Sequence, residues 1–299
     1  MTVGAPAPLV SVVVATNRRS LFLAEALESV VSQTESRWEL VVVDDGIDHD
    51  GAWLRDIVAT VEGAMVVSCP RRGVSAARNH GVSVTTGRYL AFLDDDDRWH
   101  PCRLEQAIAE FDRDSETVAV ACAVTTIDAA GNTLVPATSL PDCHRRSVVR
   151  RDVWIACPNL LVSRDAFSSV GGFDETLARA EDLDLVLRLV EIGSIRAVNA
   201  SLVDYRAHGA NVTAQRLELA AAIHRVVRAR RRAAIRRGDR DETADHGASL
   251  RRNARYAWWA IRTTRLGDPP HLWRRGVIFA RMLLTTPWLE LRSRTMWSR

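Results

Sequence analysis

Lysine is absent from the 299 residues, and all 40 basic side chains are arginines. A Walker A phosphate loop, a Schiff-base enzyme and a protein kinase each need a lysine, so those three classes are removed at once. Cysteine is scarce: Cys69, Cys102, Cys122, Cys143 and Cys157 are odd in number, form no Cys-x-x-Cys pair and sit in or beside apolar runs. They read as reduced core thiols, not as a disulfide framework or zinc site. No apolar run reaches the length that spans a bilayer, and residues 1 to 8 lack a basic region followed by an apolar core. The expectation is a cytoplasmic chain, with peripheral contact to the inner face of the cell membrane left open. Glycine is missing from Ala15-Thr16-Asn17-Arg18, where a dinucleotide fold would carry Gly-x-Gly-x-x-Gly, and this disfavours NAD and FAD.

What is present is an ordinary globular composition, 47% hydrophobic and 26% charged, enough for one large domain and an appendage. Charge is unevenly placed. Residues 1 to 215 carry 20 Arg against 30 Asp and Glu, net −10, whereas residues 216 to 299 carry 20 Arg against 7, net +13.

Leu9 to Ala15 is a continuous β-branched run, followed by a turn and the helical pattern Leu21, Leu23, Ala24, Leu27, Val30, Val31. Strands are expected at Glu39–Val43, Ala64–Cys69 and Arg88–Leu93, with helices at 51–61 and Ser75–Val84 between them. Strict alternation of this kind implies a parallel sheet with right-handed crossovers. Further on, the pattern predicts a helix from Pro101 to about Phe111, a strand Val118–Thr126 with a hairpin turn at Asp128 to Asn132, and a loop over 136–152. A strand Trp154–Val162, a tight turn at Gly171-Gly172-Phe173, a helix from Glu181 and an extended run Ile195–Tyr205 complete this half. From about Ala214 the chain becomes Arg-rich helices: Leu217–Arg237, a polar break at Gly238–Gly247, Ala248–Arg265, a Gly-Asp-Pro-Pro break and His271–Leu284.

The chemistry concentrates at strand ends. In Arg88-Tyr89-Leu90-Ala91-Phe92-Leu93-Asp94-Asp95-Asp96-Asp97 a buried run stops in four carboxylates, at the edge where open α/β sheets collect ligands. Adjacent carboxylates repel, and a hard divalent cation such as Mg²⁺ or Mn²⁺ would resolve the conflict; a solvated acidic turn ahead of the Pro101 helix is the other reading. Asp44 and Asp45 close the second strand and suit a base imide and ribose hydroxyls, or an acidic helix cap. Gly73 to Asn79 places Arg78 and Asn79 in the first turns of a helix, where Arg78 could hold a diphosphate or simply lie on the surface. Glu181 and Asp182 open another helix, as dipole-favoured acids or as a general base. His208 is a candidate imidazole ligand or a solvated loop histidine.

Taken together and in this order, these pieces resemble the inverting glycosyltransferases of family 2, which have the GT-A fold. The resemblance covers roughly residues 8 to 213 and rests on Leu9–Arg18, Val41–Gly46, Gly73–Asn79, Phe92–Pro101 (the "DxD" strand end) and Gly171–Glu175 with Glu181–Asp184. It implies an α/β, GT-A type nucleotide-binding Rossmann-like mixed sheet flanked by helices over 1–213, followed by an Arg-rich α-helical extension over 214–299. By that resemblance Thr16, Asn17, Arg18, Asp44, Asp45, Gly73, Arg78, Asn79, Asp94 and Asp95 would bind the nucleotide. Asp96, helped by Asp94 or Asp95, would hold Mg²⁺ or Mn²⁺, with His208 the candidate imidazole ligand beside them, and Asp182, beside Glu181, would be the catalytic base. Two departures stand out. The family's Pro-Thr-Tyr-Asn turn is here Ala15-Thr16-Asn17, without the aromatic that can flank the base, and the serine usual after Asp-Asp-Gly is Ile47.

The resulting expectation is metal-dependent transfer of a sugar from a nucleotide-diphosphate donor, a UDP-sugar first, to a glycan or lipid-linked acceptor hydroxyl in cell-envelope glycan synthesis. The rivals are a sugar-phosphate nucleotidyltransferase, which should carry a basic glycine-rich loop after the first strand, and a non-catalytic nucleotide-sugar-binding module. The tail joins its arginines with Trp258, Trp259, Trp273, Phe279, Trp288 and Trp297. This suits an anionic membrane surface, or packing and an oligomer contact; no recognisable nucleic-acid module is present.

Overall fold

A computed structural model describes residues 7–46, 51–140, 143–208, 216–263 and 272–287. The chain divides into two compact units, Met1–Val148 with Val153–His208, and Val149–Asp152 with Gly209–Arg299. The 213/214 boundary expected from the sequence lies outside the described residues, as do the Gly-Asp-Pro-Pro break, Trp288 and Trp297.

The first unit is built on a mixed sheet. Its strands are β1 (Val10–Thr16), β2 (Trp38–Asp44), β3 (Met65–Ser68), β4 (Tyr89–Asp94), β5 (Arg98–Trp99), β6 (Thr117–Ile127), β7 (Thr133–Val135), β8 (Leu160–Ser163) and β9 (Ser194–Arg206). They lie in the order β3-β2-β1-β4-β8-β6-β9-β5, with β7 beside β6. The first four strands are mutually parallel, and the antiparallel entry of β8 between β4 and β6 makes the sheet mixed. Helices α1 (Leu23–Val31) and α2 (Ala52–Val58) bury Leu23, Leu27 and Leu54 against Val10, Val12, Val14, Leu40 and Val42. Alternate residues serve the opposite face, as the two-residue repeat of a strand requires. There α3 (Val74–Ser83) lies so close that a Cβ on Gly81 would come within 2.5 Å of Val13 Cγ1. The remaining helices of this half are α4 (Arg103–Arg113), α5 (Arg145–Arg150), α6 (Arg164–Ser169) and α7 (Glu181–Ile192).

Three expectations are corrected. The strand drawn over Trp154–Val162 is β8 alone, preceded by a 3₁₀ turn at Cys157–Asn159. Pro158 has no amide to give a ladder, and the Asn159 side chain turns back to accept from the Ala156 amide at 2.8 Å and to donate to the Cys122 carbonyl at 2.8 Å. The loop over 136–152 contains α5. The polar break over Gly238–Gly247 shrinks to Gly238 and Asp239, because the Asp239 carboxylate accepts from the Glu242 amide at 2.9 Å and caps the next helix. All five cysteines are free, as expected.

The second unit holds α8 (Arg216–Arg237), α9 (Arg240–Thr263) and α10 (Leu272–Thr285) around Leu217, Ala220, Ala257 and Met282. The segment Val149–Asp152 is tied to α9 by Arg252, which donates to the Arg151 carbonyl and the Asp152 carboxylate. No described helix is long and apolar enough to cross a membrane.

Candidate functional site

The parallel register brings the acids to one edge. Thr16 lies opposite Asp44, and Ala15 opposite Asp94, so the carboxyl ends of β1, β2 and β4 meet where the strand order reverses.

Several of the expected nucleotide residues are anchored to the protein itself. The Thr16 hydroxyl lies 2.5 Å from Asp95 Oδ2, and the Ser20 hydroxyl donates to the Asp95 carbonyl at 2.7 Å, so Asp95 is tied to the end of β1. Burial pushes its carboxyl up to about 6. Asp45 is buried and accepts from the amides of Arg72, at 2.9 Å, and Gly73, at 3.1 Å, which shapes the loop into α3. Asp44 beside it is half-buried, while Asn17 and Arg18 are exposed; Arg18 Nη2 lies 3.8 Å from Asp96 Oδ2. Asn79 pins the turn that precedes the acid pair, donating to the Phe173 carbonyl at 2.9 Å and accepting from its amide at 3.0 Å. Gly172 in that turn has φ +68°, and a Cβ there would come within 2.8 Å of Asn79 Oδ1, so glycine is required on both counts.

Arg78 is 4% exposed. Its two terminal nitrogens are spent on Asp94 Oδ1, at 2.6 Å, and Glu181 Oε1, at 2.9 Å, with the guanidinium 5.4 Å from the Phe173 ring centroid. A buried cation thus joins the acid run on β4 to the acid pair that opens α7, instead of standing free for a diphosphate. Asp182 follows Glu181, is half-buried and accepts from the Leu183 amide at 2.6 Å. Burial, and then the Glu181 charge, push its carboxyl up to about 7.

The four acids of the run separate into roles. The Asp97 amide donates to the Asp94 carbonyl at 3.2 Å, and this turn folds the run back on itself. Asp94, Asp96 and Asp97 consequently bring one carboxylate oxygen each within 4.8 Å of one another, while Asp95 is diverted to Thr16. Burial, then the charge of Asp94, raise the carboxyls of Asp96 and Asp97 above their ordinary range. Asp97 Oδ2 is buried with no hydrogen-bond partner. Three carboxylates in one place, one of them with a buried oxygen that lacks a hydrogen-bond partner, fit Mg²⁺ or Mn²⁺. His208, two residues past β9, places Nε2 2.9 Å from Asp96 Oδ2.

Asp97 and Arg206 were not among the site residues read from the sequence. Asp97 could have been found as the residue a tight turn returns to Asp94. Arg206 gave one signal, a charge closing an otherwise strand-like run two residues before His208.

A family model described as "Glycosyl transferase family 2" matches residues 11–157, and one described as "Glycosyl transferase family group 2" matches residues 89–298. Chondroitin synthase of Escherichia coli is 27% identical over 216 residues, 71% of this chain and 31% of that protein. Hyaluronan synthase of Pasteurella multocida is 25% identical over 224 residues, 74% of this chain and 22% of that protein. The chain therefore spans less than a third of the length of these curated relatives. Among solved structures, S. aureus TarS 1–349 in complex with UDP-GlcNAc superposes with a TM-score of 0.68 at 15% identity, covering 93% of this chain and 81% of that one. At that identity the likeness is one of fold, the mixed sheet flanked by helices of the GT-A type. With the broader model covering more than two thirds of its residues, the chain belongs to the family 2 glycosyltransferases.

Proposed function

We propose that this glycosyltransferase moves a sugar from a nucleotide-diphosphate donor, a UDP-sugar, to a hydroxyl of a glycan or lipid-linked acceptor with inversion, in the synthesis of a cell-envelope glycan. The observation that carries the reading is the buried Arg78, which fixes the carboxylate cluster and the Glu181–Asp182 pair as parts of one site. Inversion needs one displacement: the acceptor oxygen bonds to the anomeric carbon as the diphosphate leaves from the opposite side. Asp182 takes the acceptor proton, and a carboxyl held near 7 is matched to that task at neutral pH. Glu181, ion-paired to Arg78, keeps Asp182 beside a fixed negative charge. Asp94, Asp96 and Asp97, with His208 beside Asp96, would hold Mg²⁺ or Mn²⁺; when bound, the cation would supply charge neutralisation for the departing diphosphate. The half-buried Asp44, with Thr16, Asn17 and Arg18 across from it, is the place for base and ribose. The structural likeness to a protein solved with UDP-GlcNAc and with UDP favours uracil as the base.

Binding to the native state alone raises stability. UDP and UDP-sugars with Mn²⁺ are therefore expected to raise the melting temperature, ADP much less, and turnover to release UDP. No stabilisation by any UDP compound, in Mn²⁺ or without it, would remove the reading. Stabilisation by a UDP-sugar with no UDP release under any acceptor would leave a binding module.

The helical unit is assigned to an anionic membrane surface, which would make the protein peripheral on the inner face of the membrane. Trp258 is 50%, Trp259 46% and Leu284 85% exposed, and Arg255 and Trp259 share one face of α9. Arginine and tryptophan together suit the headgroup region. The full chain is expected to pellet with vesicles containing anionic lipid at low salt, and the Trp258→Ala, Trp259→Ala double variant to pellet less. Equal pelleting of the two would leave this surface to packing or self-association.

A further inference from the structure

Arg206 closes β9 and is 1% exposed. A guanidinium leaves water at a heavy cost unless its donors find acceptors, and here they find them on three segments. Nη2 donates to Glu25 Oε2 at 2.6 Å, Nε to the Asp96 carbonyl at 2.9 Å, and Nη1 to the Ala129 carbonyl at 3.2 Å in the β6–β7 turn. Its own amide donates to Asp97 Oδ1 at 2.8 Å. The guanidinium also lies 4.4 Å from the Phe22 ring centroid, and the same ring packs 5.4 Å from the ring of His208, the partner of Asp96. One residue therefore fixes the peptide that joins Asp96 to Asp97, one oxygen of Asp97, and the aromatic wall behind His208. Glu25, shared between Arg206 and Arg98, anchors the far side.

We propose that Arg206 is a positioning residue for divalent-cation binding: without ligating the ion, it holds the Asp96–Asp97 peptide and, through Phe22, His208 in the arrangement that the ion meets. The inference rests on the reading of Asp94, Asp96 and Asp97 as the cation site. It carries a sign that separates it from plain electrostatics. A guanidinium this close to the cluster repels a dication, so deleting its charge alone would tighten metal binding. Deleting a strut would weaken it, and outer partners of metal ligands typically matter by about 10- to 100-fold in affinity.

The probe is Mn²⁺ alone, titrated into the full-length protein and followed by electron paramagnetic resonance of the free ion. Arg206→Met is expected to weaken Mn²⁺ binding by about 10-fold or more. Phe22→Ala, charge-neutral and at a half-buried position, is expected to weaken it in the same direction, and it decides the matter if Arg206→Met fails to give a cooperative melt. Wild-type or tighter affinity in the folded variants overturns the positioning role. Absence of Mn²⁺ binding by the wild type would instead remove the cation site and this inference with it, so the two failures are distinguishable.

Discussion

Asp182→Asn is expected to keep donor affinity near wild type and to lower turnover by roughly a hundredfold or more, the usual scale for losing a general base. Asparagine preserves the volume at the start of α7 and can still accept from the Leu183 amide, so the change removes proton affinity and little else. The half-buried setting and the Glu181 charge that push Asp182 up to about 7 also fix the pH behaviour. The base must be ionised, so kcat/KM should climb as pH rises through about 7 and level off above it, and the variant should lose that limb. Stability has the opposite sign. The folded-state value lies above that of an unfolded aspartate, so the protonated acid is favoured in the fold. That contribution is complete below about pH 4 and is lost as pH rises through about 7. Near-normal turnover by Asp182→Asn, measured as UDP release, would move the base elsewhere. Glu181, half-buried beside Asp182, is then the nearer candidate, since Asp184 is buried.

Asp96→Ala should abolish Mn²⁺-dependent donor binding while the melt stays cooperative. Asp96 is the acid on which the cluster converges: it shares a donor position with Asp94 and Asp97, and its Oδ2 takes His208 at 2.9 Å and Arg18 at 3.8 Å. Its carboxyl is already raised by burial and by Asp94, so removing it relieves repulsion inside the run and should not itself unfold the protein. Calorimetry of UDP with and without Mn²⁺ reads the effect directly. An unchanged dependence on Mn²⁺ would reduce the four acids to an acidic turn.

The strands that build the site were legible because their signals are local. Val10–Thr16, Trp38–Asp44 and Tyr89–Asp94 are continuous apolar runs, and each parallel run ends at the same edge, so Asp44 and Asp94 had to arrive there together. The helices expected from Ser75 and Glu181 start at Val74 and Glu181. Local rules failed where a neighbour in space competed with a neighbour in sequence. Trp154–Ala156 reads as strand by composition, yet Asn159 draws that segment into a turn and reaches Cys122, 37 residues earlier in the chain. Gly238–Gly247 reads as a break by polarity, yet one capping carboxylate at Asp239 converts most of it to helix.

The sequence by itself determined the α/β order and which strand ends carry acid, since these depend on periodicity and on residue type at fixed positions, and its motifs carried the resemblance to the family. Only the tertiary structure decided what each acid and arginine does. Asp45 is taken by amides 27 residues away, Arg78 by a carboxylate 103 residues away, and Arg206 reaches a carbonyl across 110. The physical reason is that a charge can be satisfied equally well by water, a cap or a distant partner. Only the packing that excludes water from the strand ends selects the partner, and with it separates Asp94, Asp96 and Asp97 from Asp95.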